Sequence, residues 1–296
     1  MKQKFIRILA LIITVVLLAM TLGACKPSEK EEENVQSTAD VRIMSYNILN
    51  PDWTSAPSTA VEDRIVLVRD IVNDFAPDVI GLQEAEVKWQ TAIEVVLCDN
   101  GPYKFACKLN KTEKPNMTTF LYNTKTLKLV DEYVIDIDEH SDIRVVSMAI
   151  FEKISDGKRF LVTNTHPSPS ISQAENYKRQ MEYITTILKY HFNKNSDMPI
   201  IMTGDFNTRE QSEYYTKLMN DLGVKDAKYE AETLVRDYST CSGFNKQPVK
   251  GNAYCIDHIF VNNNVDVKLF DVIIDHDVQK ASDHLPIYAD IMLKKR

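Results

Sequence analysis

The chain has 296 residues, of which 44% are hydrophobic and 26% charged, and its formal net charge is −7. This composition excludes a disordered chain, a collagen and a multi-span membrane protein. The excess of acidic residues also argues against a protein that coats nucleic acid through charge alone, because neutralising many phosphates requires many Lys and Arg side chains.

The first 24 residues have the pattern of a secretory signal peptide. Three basic residues precede an apolar run from Ile8 to Ala19, which is too short to span a bilayer comfortably. The next residues, Leu22 to Cys25, resemble the lipobox of bacterial lipoproteins, in which small residues precede a Cys that is acylated. We therefore expect residues 1–24 to be removed and Cys25 to carry lipid. The alternative is an ordinary signal peptide or anchor with a chance Cys.

The segment after the signal peptide differs in character from the rest of the chain. Residues 25–40 are polar and acidic without an apolar period, which predicts a flexible tether. Residues 41–296 contain no repeat and no Gly/Ser- or Pro-rich linker, and we expect one domain. The expected location is the outward-facing cell surface of a bacterium, with a lipid anchor as the only membrane contact and a monomeric state. Cleavage would change the formal charge from −7 to −10, because residues 1–24 contain three basic and no acidic residues.

The domain alternates short apolar strands with a few helices. Strands at 41–49 and 78–84 flank a helix over 60–75 that should end at Ala76-Pro77, and a second helix is predicted over 86–97. Further helices are predicted over 172–191 and 210–221. The remaining strands are predicted at 104–109, 118–123, 127–135, 145–153, 159–166, 199–207, 255–263, 265–274 and 285–293. So many strand-to-strand joins favour an α/β (α+β) domain with two mostly antiparallel sheets over a doubly wound parallel sheet.

Six of these strands end in, or are flanked by, polar residues that are unusual beside a buried core. The clusters are Ser45-Tyr46-Asn47, Gln83-Glu84, Asn164-Thr165-His166, Gly204-Asp205-Phe206-Asn207, Ile256-Asp257-His258 and Ser282-Asp283-His284. Buried charged residues need partners, and six such clusters together predict one site at the rim of the sheets. Carboxylate and amide oxygens suit Mg²⁺, and a His beside an Asp can serve in acid–base chemistry. Because the chain has neither a nucleophile-elbow serine nor a Gly-rich phosphate loop, water is the expected nucleophile.

This ordered set of motifs resembles the endonuclease/exonuclease/phosphatase superfamily, which includes deoxyribonuclease-like enzymes, sphingomyelinases and inositol polyphosphate phosphatases. The resemblance covers essentially all of residues 41–296. It implies a four-layer sandwich, with two sheets packed face to face and helices outside. It also implies hydrolysis of phosphodiesters or phosphomonoesters with Mg²⁺ or Mn²⁺.

The resemblance assigns a role to eight residues. Glu84 and Asn47 would be metal ligands, and Asp283 a further ligand or a contact to bound water. Asp205 and Asn207 would position the attacking water and a phosphate oxygen. Asp257 would orient His284, and His166 would donate to the phosphate or assist the leaving oxygen. Either His284 or Asp205 could be the formal base.

Other residues near these motifs have open roles. By strand alternation His258 should point away from Asp257 and serve a structural role. Arg64 and Arg144 could each bind phosphate or form an ordinary ion pair. Leu49 stands where some nuclease branches carry a further carboxylate, and Pro167 follows His166 where many relatives have Leu. These departures leave the metal site intact but prevent transfer of a substrate from any one branch.

Four cysteines remain after Cys25, namely Cys98, Cys107, Cys241 and Cys255. An even number outside the cytosol permits two disulfides, and local pairing of Cys98 with Cys107 and of Cys241 with Cys255 is our first expectation. Four free buried thiols are the alternative, because a domain of this size does not require disulfides for stability.

Three functions are compatible with the sequence. The first is a phosphodiesterase or nuclease acting on DNA or RNA. The second is a phosphatase or phosphodiesterase acting on inositol phosphates, lipid headgroups or other small phosphoesters, which the acidic composition mildly favours. The third is an inactive surface binding protein, which ranks lowest because the eight motif residues are all present.

Overall fold

The computed structural model describes residues 39–53, 59–108, 116–138, 144–169 and 172–294. The predicted signal peptide and nearly all of the predicted tether lie outside these ranges. Among the helices in these ranges, none combines the length and the apolar character needed to cross a membrane.

Two sheets form the centre of the fold. The strands are β1 Val41–Asn47, β2 Val79–Gln83, β3 Tyr103–Ala106, β4 Phe120–Asn123, β5 Leu127–Asp136, β6 Val145–Lys153, β7 Arg159–Thr165, β8 Ile200–Asp205, β9 Lys225–Asp226, β10 Thr233–Leu234, β11 Asp257–Val261, β12 Val265–Val272 and β13 Ile287–Leu293. The first sheet has the order β10-β12-β13-β1-β2-β4-β3, and the second has the order β5-β6-β7-β8-β11-β9. Only β1–β2 and β10–β12 in the first sheet and β7–β8 in the second are parallel pairs. The prediction of two mostly antiparallel sheets is confirmed.

Helices cover the outer faces of both sheets. They are α1 Val61–Phe75, α2 Val87–Ile93, α3 Ala174–Lys194, α4 Glu213–Leu222, α5 Ala227–Glu230 and α6 Val278–Ala281. Helix α1 buries Val61, Ile65, Val68 and Val72, spaced three and four residues apart, in the core of the first sheet. Helix α3 packs in the same way on the second sheet. The result is the expected four-layer sandwich.

Strand β7 shows how the alternation of side chains builds the layers. Phe160 and Val162 belong to the core shared with the first sheet, whereas Leu161 belongs to the core beneath α3. Successive side chains of a strand point to opposite faces, so one strand can serve both cores. A strand segment that is buried on both sides is apolar at consecutive positions, which is the pattern of Phe160, Leu161 and Val162 here.

The first predicted helix ends where the sequence indicates, and the second does not continue as an α-helix. Ala76 adopts a left-handed conformation and its N–H donates to the carbonyl of Val72, which closes α1 before Pro77. Helix α2 stops at Ile93 and continues as a π-helical turn, Glu94–Cys98.

A buried polar network joins the two sheets beside the rim that carries the motifs. The Gln83 side-chain nitrogen donates to Asn164 Oδ1 at 2.7 Å, and Asn164 Nδ2 donates to the carbonyl of Leu82 at 2.8 Å. The Thr203 hydroxyl lies 3.3 Å from the same Asn164 oxygen. A Cβ atom on Gly81 would lie only 2.1 Å from this hydroxyl, so the network requires glycine there. Gln83 and Asn164 therefore hold the sheets together where the strands end.

The cysteines correct one expectation from the sequence. Cys98, Cys107, Cys241 and Cys255 are all free thiols, so neither local disulfide forms. Cys107 Sγ lies 3.3 Å from the carbonyl of Met148, and Cys255 Sγ lies 3.4 Å from that of Tyr238. Burial raises the pKa of both thiols to about 12. Each buried thiol has its own carbonyl acceptor, and the large core makes disulfides unnecessary.

Candidate active site

The site lies where strands from both sheets end at one rim. Asn47 is the last residue of β1, and Glu84 directly follows β2, which pairs with β1 in parallel. In the second sheet, Asp205 ends β8 and lies directly opposite Asp257, the first residue of β11. The face-to-face packing of the sheets brings these two groups together.

One amide group joins two buried carboxylates. Asn47 Nδ2 lies 2.9 Å from Glu84 Oε1 and 3.1 Å from Asp205 Oδ2. The second oxygen of Glu84 accepts the backbone N–H of Asn50 at 2.6 Å. The Glu84 residue is only 8% exposed, and burial raises the pKa of its carboxyl. Because the carboxyl groups of Glu84 and Asp205 are both buried, binding of a proton or a cation between them is favoured.

A second pair consists of a carboxylate and an imidazole. His284 Nδ1 lies 2.8 Å from Asp257 Oδ2, which also accepts the hydroxyl of Thr240 at 2.6 Å. Burial opposes a charge on His284, but the neighbouring Asp257, Cys241 and Asp205 outweigh it and raise the pKa of His284 well above its usual value. The neighbouring carboxylates therefore favour the protonated form of the His284 ring.

Asp205 lies between two imidazole rings of different charge. Its Oδ2 is 3.4 Å from His166 Nε2 and 3.7 Å from His284 Nε2, and its Oδ1 accepts the N–H of Asn207 at 2.9 Å. Burial and the nearby charge of Asp257 raise the pKa of Asp205 to about 7. Burial and the charges of Arg144 and His284 lower the pKa of His166, which is therefore neutral. The site therefore combines a carboxyl group whose pKa is about 7 with two imidazole rings, of which His284 favours the protonated form and His166 the neutral form.

Asp283 and Asn207 complete the set of sequence-predicted residues at this rim. The charge of Asp283 contributes to the raised pKa of Glu84, so the two carboxylates are close neighbours. Next to it, Ser282 donates its hydroxyl to the Asn47 carbonyl at 2.7 Å. Asn207 donates its side-chain amide to the Pro167 carbonyl at 3.0 Å. The structure therefore places all eight residues at one rim.

Three residues of the site have left-handed backbone conformations. The φ angles are 58° at Leu49, 60° at Glu84 and 49° at Asn207. Such conformations are costly for residues other than glycine and persist only where the surrounding contacts enforce them. At Leu49 the enforcing contact is its N–H, which donates to Asn47 Oδ1 at 3.0 Å. Each of these three residues follows the end of a strand, namely β1, β2 or β8, so the strained positions lie where the chain leaves the sheets at the site.

The two arginines support the site through backbone atoms. Arg64 is 1% exposed and donates to the carbonyls of Ile48, Leu49 and Ala281 at 2.7, 2.8 and 2.9 Å. Arg144 donates to the carbonyl of His166 at 2.9 Å. The guanidinium of Arg64 therefore braces the loops of the first sheet, and that of Arg144 braces the loop after β7. These contacts show a structural role that the sequence did not indicate, and phosphate binding by either arginine stays a prediction.

Some supporting residues carry no signal in the sequence. Thr240 and Asn50 act on Asp257 and Glu84 from loops, and no motif marks either of them. His258, by contrast, lies on the other side of β11, between Asp226 Oδ2 at 3.2 Å and the Thr208 carbonyl at 3.0 Å. Strand alternation is the signal that identifies it as structural.

The donor atoms at the rim fit a hard divalent cation. Asp205, Asp257 and His284 each offer a ligand atom within 4.8 Å of the others. The raised pKa of His284 and its hydrogen bond to Asp257 both disfavour it as a ligand. The oxygens of Glu84 are better suited to Mg²⁺ or Mn²⁺, and the oxygen of Asn47 could join them if its amide turned over, because Oδ1 now accepts the N–H of Leu49. The buried Asp257 Oδ1 has no hydrogen-bond partner among the described residues, which is a further sign of unbalanced negative charge at this rim.

Comparisons with known proteins agree with this architecture. The structure is similar to that of an endonuclease/exonuclease/phosphatase from Bacteroides vulgatus (TM-score 0.72, 22% identity, 86% of this chain and 99% of that one). It is also similar to a Bacteroides thetaiotaomicron mannosyl-6-phosphatase, with a TM-score of 0.70 and 18% identity over 86% of this chain and 100% of that one. A third similar structure is D. rerio TDP2 complexed with a single-strand DNA product, with a TM-score of 0.64 and 18% identity over 85% of this chain and 98% of that one.

These identities are low, and the likeness establishes the fold alone. No curated protein matches the chain. The sequence model of the Endonuclease/Exonuclease/phosphatase family matches residues 44–284. Members of this family hydrolyse phosphoesters and typically depend on divalent metal ions. The chain belongs to the endonuclease/exonuclease/phosphatase family.

Proposed function

We propose that this protein is a Mg²⁺- or Mn²⁺-dependent phosphoester hydrolase, with phosphodiesters, including DNA or RNA, as its first candidate substrates. The observation that carries the proposal is the position of Asp205. Its carboxyl lies within 3.7 Å of both His166 and His284, and it shares the Asn47 amide with Glu84.

The pKa values indicate a different acid–base role for each of Asp205, His284 and His166. Asp205, whose pKa is raised to about 7, can accept a proton from the attacking water near neutral pH. His284 favours the protonated form, and Asp257 fixes its orientation, so it can stabilise negative charge on the phosphate. His166 is neutral and can donate a hydrogen bond to a phosphate or leaving-group oxygen. We therefore assign the base to Asp205 and not to His284.

Glu84 and Asn47 would hold the divalent cation, with Asp283 as a further ligand or a contact to bound water. When bound, the cation supplies Lewis acidity to the phosphoryl group and balances its charge. The left-handed backbone of Glu84 and the N–H of Asn50 fix the direction of its carboxylate. This support holds the carboxylate in place before any ligand arrives.

Two substrate classes remain candidates. A nuclease or phosphodiesterase is supported by the fold shared with D. rerio TDP2, whose complex contains a single-strand DNA product. A phosphatase or phosphodiesterase on small phosphoesters, such as sugar or inositol phosphates and lipid headgroups, is supported by the mannosyl-6-phosphatase and by the net charge of −7. Lys108, from a lysine-rich stretch that could attract polyanions, is already paired with Glu94 at 2.7 Å.

A substrate panel assayed with Mg²⁺ and with Mn²⁺ tests the proposal. The panel contains plasmid DNA, RNA, bis(4-nitrophenyl) phosphate, inositol phosphates, mannose 6-phosphate and sphingomyelin. We expect Glu84→Ala, His284→Ala and excess chelator each to abolish hydrolysis while the fold is retained. The matched controls are Glu175→Ala and His276→Ala, both exposed, and they should keep full activity. Full activity of purified Glu84→Ala in excess chelator would refute the site assignment.

The surface location is a separate proposal that rests on the sequence. We propose that Cys25 carries the lipid that anchors a monomeric enzyme to the outer surface of a bacterial membrane. Metabolic labelling with a fatty acid should label the natural protein and not Cys25→Ser, which should appear in a soluble fraction. Light scattering on the soluble form should give the mass of a single chain. Labelling of Cys25→Ser would contradict the proposed anchor.

A further inference from the structure

A short 3-10 turn after β1, Pro51–Trp53, places an indole ring beside the candidate active site. Trp53 is 45% exposed, whereas the only other tryptophan of the sequence, Trp89, is completely buried. A single exposed aromatic residue is ordinary on a protein surface. The position of Trp53 is unusual because its ring contacts two residues around the reaction centre.

The two contacts are with His166 and Arg144. The centroid of one Trp53 ring lies 6.4 Å from that of His166, with the ring planes at 52°. The guanidinium carbon of Arg144 lies over the indole, 5.3 Å from its centroid. Arg144 is itself buried and is held by the His166 carbonyl. The protein therefore supports one side of the indole rigidly, and nearly half of the residue remains open to solvent.

The turn that carries Trp53 is also tied to the carboxylate of the proposed metal site. The N–H of Trp53 donates to the Asn50 carbonyl at 3.1 Å, and the N–H of Asn50 donates to Glu84 Oε2 at 2.6 Å. The Asn50 side chain accepts the N–H of Asp52 at 2.9 Å, which stabilises the turn. The turn that carries the indole is therefore held by hydrogen bonds that lead to Glu84, and the ring itself by its contacts with His166 and Arg144.

We propose that Trp53 forms a subsite that stacks on a ring in the organic group esterified to the phosphate, namely a nucleobase or a sugar ring. This inference rests on the proposed phosphoester hydrolysis and adds a substrate class: phosphoesters that carry a ring. A nucleobase stacks on an indole through its π-face and a sugar ring packs on it through the C–H groups of one face, whereas an acyclic group such as glycerol offers no such face. An acidic chain gains little affinity for phosphoesters from its overall charge, so a ring contact of this kind would add usefully to the contacts that the cation and the histidines make with the phosphate.

The two tryptophans make the subsite directly measurable by fluorescence, independently of turnover. The measurement uses His284→Ala with Mg²⁺, so that the probes are not consumed, and follows tryptophan emission during titration. The probes are adenosine 5′-monophosphate, mannose 6-phosphate and glycerol 3-phosphate, which share a phosphate and differ in the attached group. We expect at least one ring-bearing probe to change the emission and to bind about fivefold or more tightly than glycerol 3-phosphate.

Variants of Trp53 then identify the residue responsible. Because these variants lack the reporting indole, their binding is measured by calorimetry in the same background: Trp53→Ala should remove the preference for ring-bearing probes and Trp53→Phe should keep part of it. Tyr190→Ala, which removes an exposed aromatic residue on α3, should leave the preference unchanged. Tighter binding of adenosine 5′-monophosphate than of ribose 5-phosphate would identify a nucleobase as the partner, and tighter binding of mannose 6-phosphate than of adenosine 5′-monophosphate a sugar.

Two outcomes would overturn the inference. One is equal or undetectable binding of all three probes, and the other is a ring preference that persists in Trp53→Ala. Failure of the proposed function gives a different result, because the wild-type protein would then hydrolyse no substrate of the panel whatever the fluorescence shows. The two proposals can therefore fail separately.

Discussion

The pKa of Asp205 predicts that this residue destabilises the protein when no cation is bound. Burial and Asp257 raise the pKa from 3.8 to about 7. The folded chain therefore binds this proton more tightly than the unfolded chain does. The stabilisation from the proton is fully present below pH 3.8 and is lost as the pH rises through 7. Each pKa unit corresponds to about 1.4 kcal/mol, so the loss approaches about 4 kcal/mol at pH 8.

Asp205→Asn replaces the carboxyl with a group that resembles its neutral form and does not titrate. In excess chelator, the variant should be more stable than wild type at pH 8 and nearly equal to it at pH 4. The expected gain is about 2–3 kcal/mol, because the Asn47 amide, now 3.1 Å from a carboxylate oxygen, loses that acceptor at a cost of about 1 kcal/mol. Hydrolysis by the variant should be lost.

Urea denaturation between pH 4 and pH 8, in chelator, measures this difference directly. Asp266→Asn is the matched control, because its side chain is 51% exposed, and it should stay within about 0.5 kcal/mol of wild type at every pH. Parallel stability curves for wild type and Asp205→Asn across this range would refute the raised pKa and the assignment of Asp205 as the base.

Three further predictions follow from contacts around the site. Thr240→Val removes the 2.6 Å hydrogen bond to Asp257, and steady-state kinetics should show kcat reduced by about tenfold or more with the protein still folded; an unchanged kcat would contradict the orienting role. Gly81→Ala places a Cβ atom 2.1 Å from the Thr203 hydroxyl and should lower the free energy of unfolding by about 3 kcal/mol, with partial rescue by Thr203→Ala; an unaltered urea midpoint would exclude this clash. Alkylation of the denatured, unreduced protein should label all four described cysteines, which are Cys98, Cys107, Cys241 and Cys255. Pairs of unlabelled cysteines in the mass spectrum would instead indicate disulfides.

Much of the fold could be predicted because local and long-range signals agree. The apolar period of 60–75 and the Ala76-Pro77 stop predict α1 to within one residue of its start. The number of the strands and the short spacing between them predict two sheets rather than βαβ units. The π-helical turn after Ile93 could not be predicted in this way, because the apolar period does not distinguish it from a regular helix.

The residues of the candidate site likewise fall into those that the sequence predicts and those that it does not. Side chains that carry the chemistry, such as Glu84 and His284, belong to short motifs at strand ends. Residues that support them through backbone atoms leave no such pattern, since a carbonyl is available at every position. Arg64, which binds three carbonyls from distant loops, is an example. Disulfide pairing also depends on distances between elements that the order of residues does not determine.

The position of the last strand has a consequence for how the protein matures. Strand β13, Ile287–Leu293, is not at an edge of its sheet but lies between β12 and the first strand, β1. Just before it, Ser282 hydrogen-bonds to Asn47 across 235 positions of sequence. Contacts of such separation form slowly, and only once β13 has been synthesised. A nascent chain therefore has neither a finished first sheet nor an assembled candidate site before β13 is in place.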